Sequence, residues 1–332
     1  MAPPIIDLQG VGRRFVKSLD LAGRIARALG ADLRDEIVHA VDDVSLAIEP
    51  GEVVGLVGES GCGKSTLGRM VAGILPQSEG TIRFKGRERP SLGGAEAKAA
   101  ALAVQMIFQD PMSSLNPRKR VREIIGEAPR VHGLVSAAEL DDFLDETMIN
   151  VGLDPSYKRR YPHQFSGGQR ARIGIARALS VRPEFLVCDE PVAALDVSIQ
   201  AQVLNLFMEL RRRLDLTYLF ISHDLGVIEH ISDRVVIMYL GRIVEAAPAE
   251  ALFAAPNHPY TRALLQEVPR IDVRRRRFEP IKGEIPSPLD PPPGCHFHPR
   301  CPFAMARCKV ERPALRAIAP GRISACHLND QP

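Results

Sequence analysis

Gly58-Glu59-Ser60-Gly61-Cys62-Gly63-Lys64-Ser65-Thr66 is the segment of this chain best equipped for chemistry. Gly58 and Gly63 are followed by Lys-Ser, after the apolar run Val53-Val54-Gly55-Leu56-Val57 and before a helix-like stretch. This is the P-loop pattern. Small residues let backbone N–H groups turn inward on a polyphosphate. Lys64 adds a mobile cation for the β/γ oxygens, and the Ser65 hydroxyl can ligate Mg²⁺. The positive end of the following helix adds to the same field. The bland alternative, a glycine-rich turn before a helix, does not account for the strand on one side and the Lys-Ser pair on the other.

Two further segments belong with it. Phe185-Leu186-Val187-Cys188-Asp189-Glu190 is an apolar strand ending in two carboxylates. Asp189 is suited to hold Mg²⁺, and Glu190 to polarise a water in line with the γ-phosphate. Phe165-Ser166-Gly167-Gly168-Gln169 opens a helical run, Arg170–Ala178, and forms a second anion-binding helix end. One P-loop has no need of a second such end, unless it completes the site of a neighbouring molecule.

With these residues the chain resembles the nucleotide-binding subunits of ATP-binding cassette (ABC) transporters. Phe165 stands where Leu is usual in the signature motif. By the same resemblance Gln109 is the Q-loop glutamine, which senses Mg²⁺ and the attacking water. Ala194-Leu195-Asp196 is the D-loop, with Ala where Ser is more usual. His223, in Ile221-Ser222-His223-Asp224, is the switch histidine that contacts the γ-phosphate. Phe15 is the candidate for stacking adenine, with His39 the runner-up. The resemblance implies an α/β P-loop fold with a helical signature subdomain. It also implies ATP and Mg²⁺ as ligands, and two subunits that sandwich two ATP molecules, each between one P-loop and the opposite signature motif.

The stretch Gln109–Arg118 and the tail segments Pro256–Thr261 and Gly283–Pro288 are similar to the dipeptide/oligopeptide importer branch. Glu190–Gln200 is closer to the F-type ATPase of the usual heterodimeric pair. The implied partners are a second, non-identical ATPase, two membrane permease subunits and an external substrate-binding protein. Nickel complexes and glutathione are alternative cargoes within the branch. The implied organisation is an ATPase domain over 1–250, with 111–165 its helical subdomain, and a small irregular C-terminal domain over 251–332.

The elements that must position these groups are legible as apolar strands, such as Tyr218–Ile221, alternating with helical stretches, such as Ile199–Leu214. That alternation points to an α/β domain with a largely parallel sheet. At 332 residues the chain can bury one large core, or one core plus an appendage. Its net charge of +3 is too small to imply nucleic acid, and no apolar run reaches the ~18–20 residues of a membrane span. The N-terminus lacks the regions of a signal peptide, so a location on the cytoplasmic face of a membrane, reached through partners, is expected. Between Lys17 and Glu36, Leu21, Ile25 and Leu29 recur every four residues and read as an amphipathic helix. It either packs on its own domain or touches a membrane or partner. Residues 86–101 read as a surface loop leading into a helix. After Glu245 prolines accumulate, giving a tail of extended segments and turns held by something other than a large core, with Arg274–Arg277 a solvated linker.

Four of the six cysteines, Cys295, Cys301, Cys308 and Cys326, fall in that tail, beside His296, His298 and His327. Their spacing, Cys-x5-Cys-x6-Cys-x17-Cys, lacks the short Cys pair of most structural zinc sites. A [4Fe–4S] cluster is the favoured staple, as the resemblance to the importer branch also implies, ahead of zinc and of free thiols. Two other classes are open to the motifs. A soluble cassette ATPase acting on DNA or ribosomes would usually carry two cassettes or long coiled coils, and no sustained heptads are present. A redox-regulated soluble cassette ATPase is the other, and the intact Lys64, Asp189, Glu190 and His223 set argues against a relic cassette.

Overall fold

The computed structural model describes residues 3–20, 30, 35–88, 93–110, 114–266, 281 and 283–330. The amphipathic stretch Leu21–Leu29 and the run Arg274–Arg277 lie outside the described residues. The chain opens on two long strands, β1 (Ile6–Lys17) and β2 (Glu36–Ile48), paired antiparallel. Strand β3 (Val53–Val57) leads through the glycine-rich loop into α1 (Lys64–Val71). After β4 (Glu79–Phe84) and the short β5 (Arg87–Glu88), α2 (Gly94–Ala103) precedes β6 (Val104–Ile107).

The helical subdomain then supplies α3 (Val121–Val131), α4 (Leu140–Asn150) and α5 (Gly167–Leu179). The next elements are β7 (Phe185–Asp189), α6 (Val197–Leu214), β8 (Thr217–Ile221), α7 (Leu225–Ile231), β9 (Arg234–Tyr239) and β10 (Arg242–Pro248). The tail adds α8 (Ala249–Ala254), α9 (Pro259–Gln266), β11 (Arg316–Ala319) and β12 (Arg322–Ser324).

The central sheet has the order β11-β12-β10-β9-β3-β8-β7-β6. Its five strands from β9 to β6 run parallel, as the sequence leads one to expect, but β10, β12 and β11 are antiparallel. A second sheet, β2-β1-β4-β5, is wholly antiparallel, which the expected largely parallel sheet does not include. The sequence gives strands that are buried on both faces as apolar runs without alternation. The alternation is nonetheless physical. Val54, Leu56, Val187, Leu219, Ile221 and Val236 pack under the antiparallel sheet on Ile6, Leu8 and Ile48. Val53, Val57, Leu186, Cys188, Tyr218, Phe220 and Ile237 face the other way, into the core with α5 and α6.

The helices start and stop for local reasons. Asp196 caps α6 by accepting from the Ile199 N–H at 3.0 Å, and Arg211, Arg212 and Arg213 sit in its last turn. Asp215 closes it in the left-handed conformation, at φ 52°. Ser166 and Gln169 form a reciprocal capping box at the start of α5.

The tail corrects one expectation. It is held by the cassette core itself: Tyr260 and Phe297 are buried in the same cluster as Tyr218 and Phe220, and β12 extends the central sheet by pairing with β10. Single apolar anchors among prolines carry no periodicity, so this packing is invisible in the sequence. Glu245, at 0% exposure, joins the two regions. Its carboxylate accepts the backbone N–H groups of Asn257 at 2.9 Å and His258 at 2.8 Å.

Candidate nucleotide site

Four parallel strands end side by side, and each delivers one part of the site. Residue pairs Leu56↔Ile221, Asp189↔Ile221 and Ile107↔Cys188 bring the carboxyl ends of β3, β8, β7 and β6 into line. Ligands in open α/β sheets bind at such strand ends. The P-loop follows β3, Asp189 and Glu190 lie at the end of β7, His223 follows β8, and Gln109 follows β6.

The P-loop requires its glycines. A Cβ at Gly58 would lie 2.2 Å from the Met238 carbonyl oxygen. One at Gly63, where φ is 104°, would lie 2.0 Å from the Ala40 carbonyl oxygen. Lys64 is only 5% exposed. Its Nζ donates to the carbonyls of Gly58 at 2.7 Å and Glu59 at 3.0 Å, so the ammonium is folded into the loop it serves. The Ser65 hydroxyl donates to Asp189 Oδ1 at 2.8 Å. Burial pushes the Asp189 carboxyl above the usual range, against the pull of that hydrogen bond. A cation held by Ser65 and Asp189 would offset that burial cost, so the donor set fits Mg²⁺.

Glu190 is held from both sides. Gln109 Nε2 donates to its Oε2 at 2.7 Å, and His223 Nδ1 stands 3.1 Å from its Oε1. Its backbone adopts φ 47°, a conformation non-glycine residues rarely take. The backbone N–H of Glu190 donates to the Ile221 carbonyl at 2.9 Å, which ties the turn to β8. The His223 side chain is 60% exposed. The structure thus brings Lys64, Ser65, Asp189, Glu190, Gln109 and His223 together, as the sequence leads one to expect.

The remaining sequence candidates stand apart from this cluster. Ser166 and Gly167 are exposed, Gln169 is half-buried, and their contacts are local. Gly168 is pressed on α6, where a Cβ would meet Ile199 Cγ2 at 2.4 Å. Asp196 spends its carboxylate on the helix cap and on the Ser198 hydroxyl at 2.8 Å, and these bonds hold its pKa below the usual range. Phe15 is partly exposed on β1, with the Arg13 guanidinium 4.8 Å from its ring centre. Its partner strand β2 passes over Gly63 at Ala40, with His39 alongside.

Sequence reasoning missed three residues at this site. The Glu59 backbone N–H donates to the Tyr260 hydroxyl at 2.9 Å. The Glu59 carboxylate receives both terminal nitrogens of Arg300, at 2.6 and 2.8 Å. Tyr239 packs against Tyr260 and Phe297 beside them. No local signal pairs residue 59 with residue 300.

The four tail cysteines line one small cavity with Phe297, His258, His298 and His327. All are free thiols. Burial pushes the Cys295 thiol up to about 11, and raises Cys301 and Cys326 as well. Among the described residues, no three His, Cys, Asp or Glu side chains are grouped closely enough to share one metal ion. Among the same residues, no helix is long and apolar enough to cross a membrane.

Residues 41–193 match the ABC transporter family, and residues 244–308 match the oligopeptide/dipeptide transporter C-terminal region. The oligopeptide transport ATP-binding protein AppF of Bacillus subtilis is 52% identical over 296 residues, 88% of this chain and 90% of AppF. Among solved structures, cbiO1 of Clostridium perfringens, part of the ABC transporter complex cbiONQ, aligns with TM-score 0.61 and 25% identity over 76% of this chain and 91% of its own. The ATP-binding cassette MJ0796 shares the fold at TM-score 0.61 and 24% identity, over 74% of this chain and 98% of its own. With the P-loop, the Asp-Glu strand end and their glutamine and histidine neighbours gathered at one edge of the sheet, the chain belongs to the ABC transporter family, as one of its ATP-hydrolysing subunits.

Proposed function

We propose that this chain energises the import of dipeptides or oligopeptides through a membrane transporter. The observation that carries the ATPase part is the Glu190 carboxylate, held between Gln109 and His223 beside Lys64 and Asp189. The 52% identity with AppF, spanning cassette and tail, supports the cargo class.

In this reading the amides of Gly58–Thr66 and the Lys64 ammonium bind the phosphates. Ser65 and Asp189, with Gln109 nearby, would hold Mg²⁺, which when bound neutralises the phosphate oxygens. Glu190 takes the proton of a water, Gln109 orients its carboxylate, and His223, beside Glu190, contacts the γ-phosphate. The exposed Ser166–Gln169 helix end completes the site of a second cassette across a dimer, with Asp196 at the junction and Phe15 against adenine. The partner cassette is a non-identical one. Two permease subunits and an external binding protein complete the assembly, with this chain on the cytoplasmic face. The ATPase region is taken as 1–250, with 111–165 its helical subdomain, and the C-terminal domain as 251–332.

The test is ATPase stimulation in the complete complex. Peptide-loaded binding protein should raise turnover several-fold. Stimulation by a nickel chelate or glutathione instead would reassign the cargo. Full ATPase activity that ignores every membrane subunit would favour the redox-regulated soluble cassette.

We further infer that Cys295, Cys301, Cys308 and Cys326 hold a [4Fe–4S] cluster. Four thiols on one cavity are the donor chemistry of such a cluster. The spacing Cys-x5-Cys-x6-Cys-x17-Cys lacks the short Cys pair usual in structural zinc sites. The cavity, about 10 Å³, is near the size that holds one water, so a cluster fits there only if the thiols move apart. Cys308→Ser, purified anaerobically, should lose bound iron and the broad visible absorption of a cluster. Unchanged iron content, or stoichiometric zinc in the wild type, would remove the assignment.

A further inference from the structure

We propose that Arg300, carried by the C-terminal segment, is a positioning residue for the P-loop: it neutralises Glu59 and fixes the loop in its nucleotide-binding form. Glu59 is an acid placed inside a loop built to attract a polyanion. Left bare, its carboxylate would repel the phosphates through a poorly screened path. The structure answers that charge with a buried cation. The Arg300 side chain is 4% exposed and meets the carboxylate in a two-pronged pair at 2.6 and 2.8 Å. The pair raises the Arg300 pKa still further, so the cation is permanent.

Glu59 is held at three points, each reaching a different part of the machinery. Its carboxylate goes to Arg300, its N–H to the Tyr260 hydroxyl, and its carbonyl to Lys64 Nζ. The last contact is the important one. The carbonyl that Arg300 fixes through Glu59 is one of the two that cradle the Lys64 ammonium. Arg300 is itself held by packing, with its guanidinium 5.9 Å from the Tyr239 ring centre and 6.0 Å from that of Phe297. Its buried charge is answered first by Glu59, with the Tyr239 hydroxyl beside it. Tyr260, Phe297 and Arg300 all lie beyond β10, so the C-terminal segment sets how the P-loop presents itself. This inference rests on ATP binding by the P-loop, and on neither the cargo nor the cysteine cluster.

The test is titration of the full-length chain with a fluorescent MgATP analogue, using wild type, Arg300→Ala, Arg300→Lys, Glu59→Gln and the Arg300→Ala/Glu59→Gln double variant. Arg300→Ala should weaken binding about tenfold, the effect of one uncompensated charge near the phosphates. Arg300→Lys should lose less. Adding Glu59→Gln to Arg300→Ala should restore most of the affinity, because the repelling charge is gone. In the assembled ATPase, Arg300→Ala should raise the KM for ATP far more than it lowers kcat. A purely structural arginine would not be rescued by removing a charge from the P-loop. Wild-type affinity in Arg300→Ala, or a double variant no better than the single, would overturn the proposal. If Arg300→Ala does not fold, Arg300→Gln with and without Glu59→Gln decides it by the same rescue. Binding by the wild-type chain in the same titration keeps this test separate from the ATP-binding reading.

Discussion

Glu190→Gln should slow ATP hydrolysis by the assembled complex about 10²–10⁴-fold, the range lost with a positioned general base. The substitution keeps the shape of the side chain and the hydrogen bond from Gln109, after rotation of the amide. It removes the charge that His223 faces at 3.1 Å and the basicity a water would need. MgATP should still bind, since Lys64, Ser65 and Asp189 are untouched. Single-turnover hydrolysis beside nucleotide binding separates the two effects. Near-normal turnover would remove Glu190 from the role. His223→Ala should fall short of that loss, since it leaves Glu190 in place and is itself largely exposed.

Lys64→Ala should lower MgATP affinity by about two orders of magnitude, because hydrogen bonds to charged groups contribute about 1.5–3 kcal/mol each. The expectation follows from how the ammonium is held. It is buried, and its two bonds are to the carbonyls of Gly58 and Glu59, within the loop that wraps the phosphates. Bound phosphate oxygens take over part of that coordination without a long reach. In Lys64→Ala the two carbonyls lose their donor and face the phosphates as bare dipoles of the wrong sign. Equilibrium titration with the fluorescent nucleotide measures the loss, and an unchanged affinity would place the phosphates elsewhere.

Much of this site could be read from the sequence because its parts are local. Asp189, Glu190 and His223 sit at or just past the ends of five-residue apolar strands, Lys64 and Ser65 open the helix that β3 reaches through the glycine loop, and parallel strands align their carboxyl ends. Gln109 is legible for the same reason, following β6. Ser166 and Asp196 are legible as motif residues, but not as the helix caps the structure makes of them. The antiparallel sheet was not legible. An opening strand and a strand near Val41–Ile48 can be read from the sequence, but not that they run to twelve and thirteen residues and pair antiparallel, with register shifts between Leu8 and Val11. The tail was misread for a different reason. Its anchors are isolated side chains, Tyr260, Phe297 and Arg300, whose partners lie in β9 and the P-loop. The contacts of Glu59 with Tyr260 and Arg300 span 201 and 241 residues and leave no trace in composition or period.

The central claim is that ATP hydrolysis at Glu190 drives peptide uptake. The most direct test is accumulation of labelled di- and oligopeptides in sealed vesicles containing the complete complex, with ATP on the side of this chain and Glu190→Gln as the matched control. The account predicts ATP-dependent accumulation in the wild type and its loss in the variant. ATP hydrolysis by the wild type without peptide accumulation, or equal accumulation in both, would contradict it.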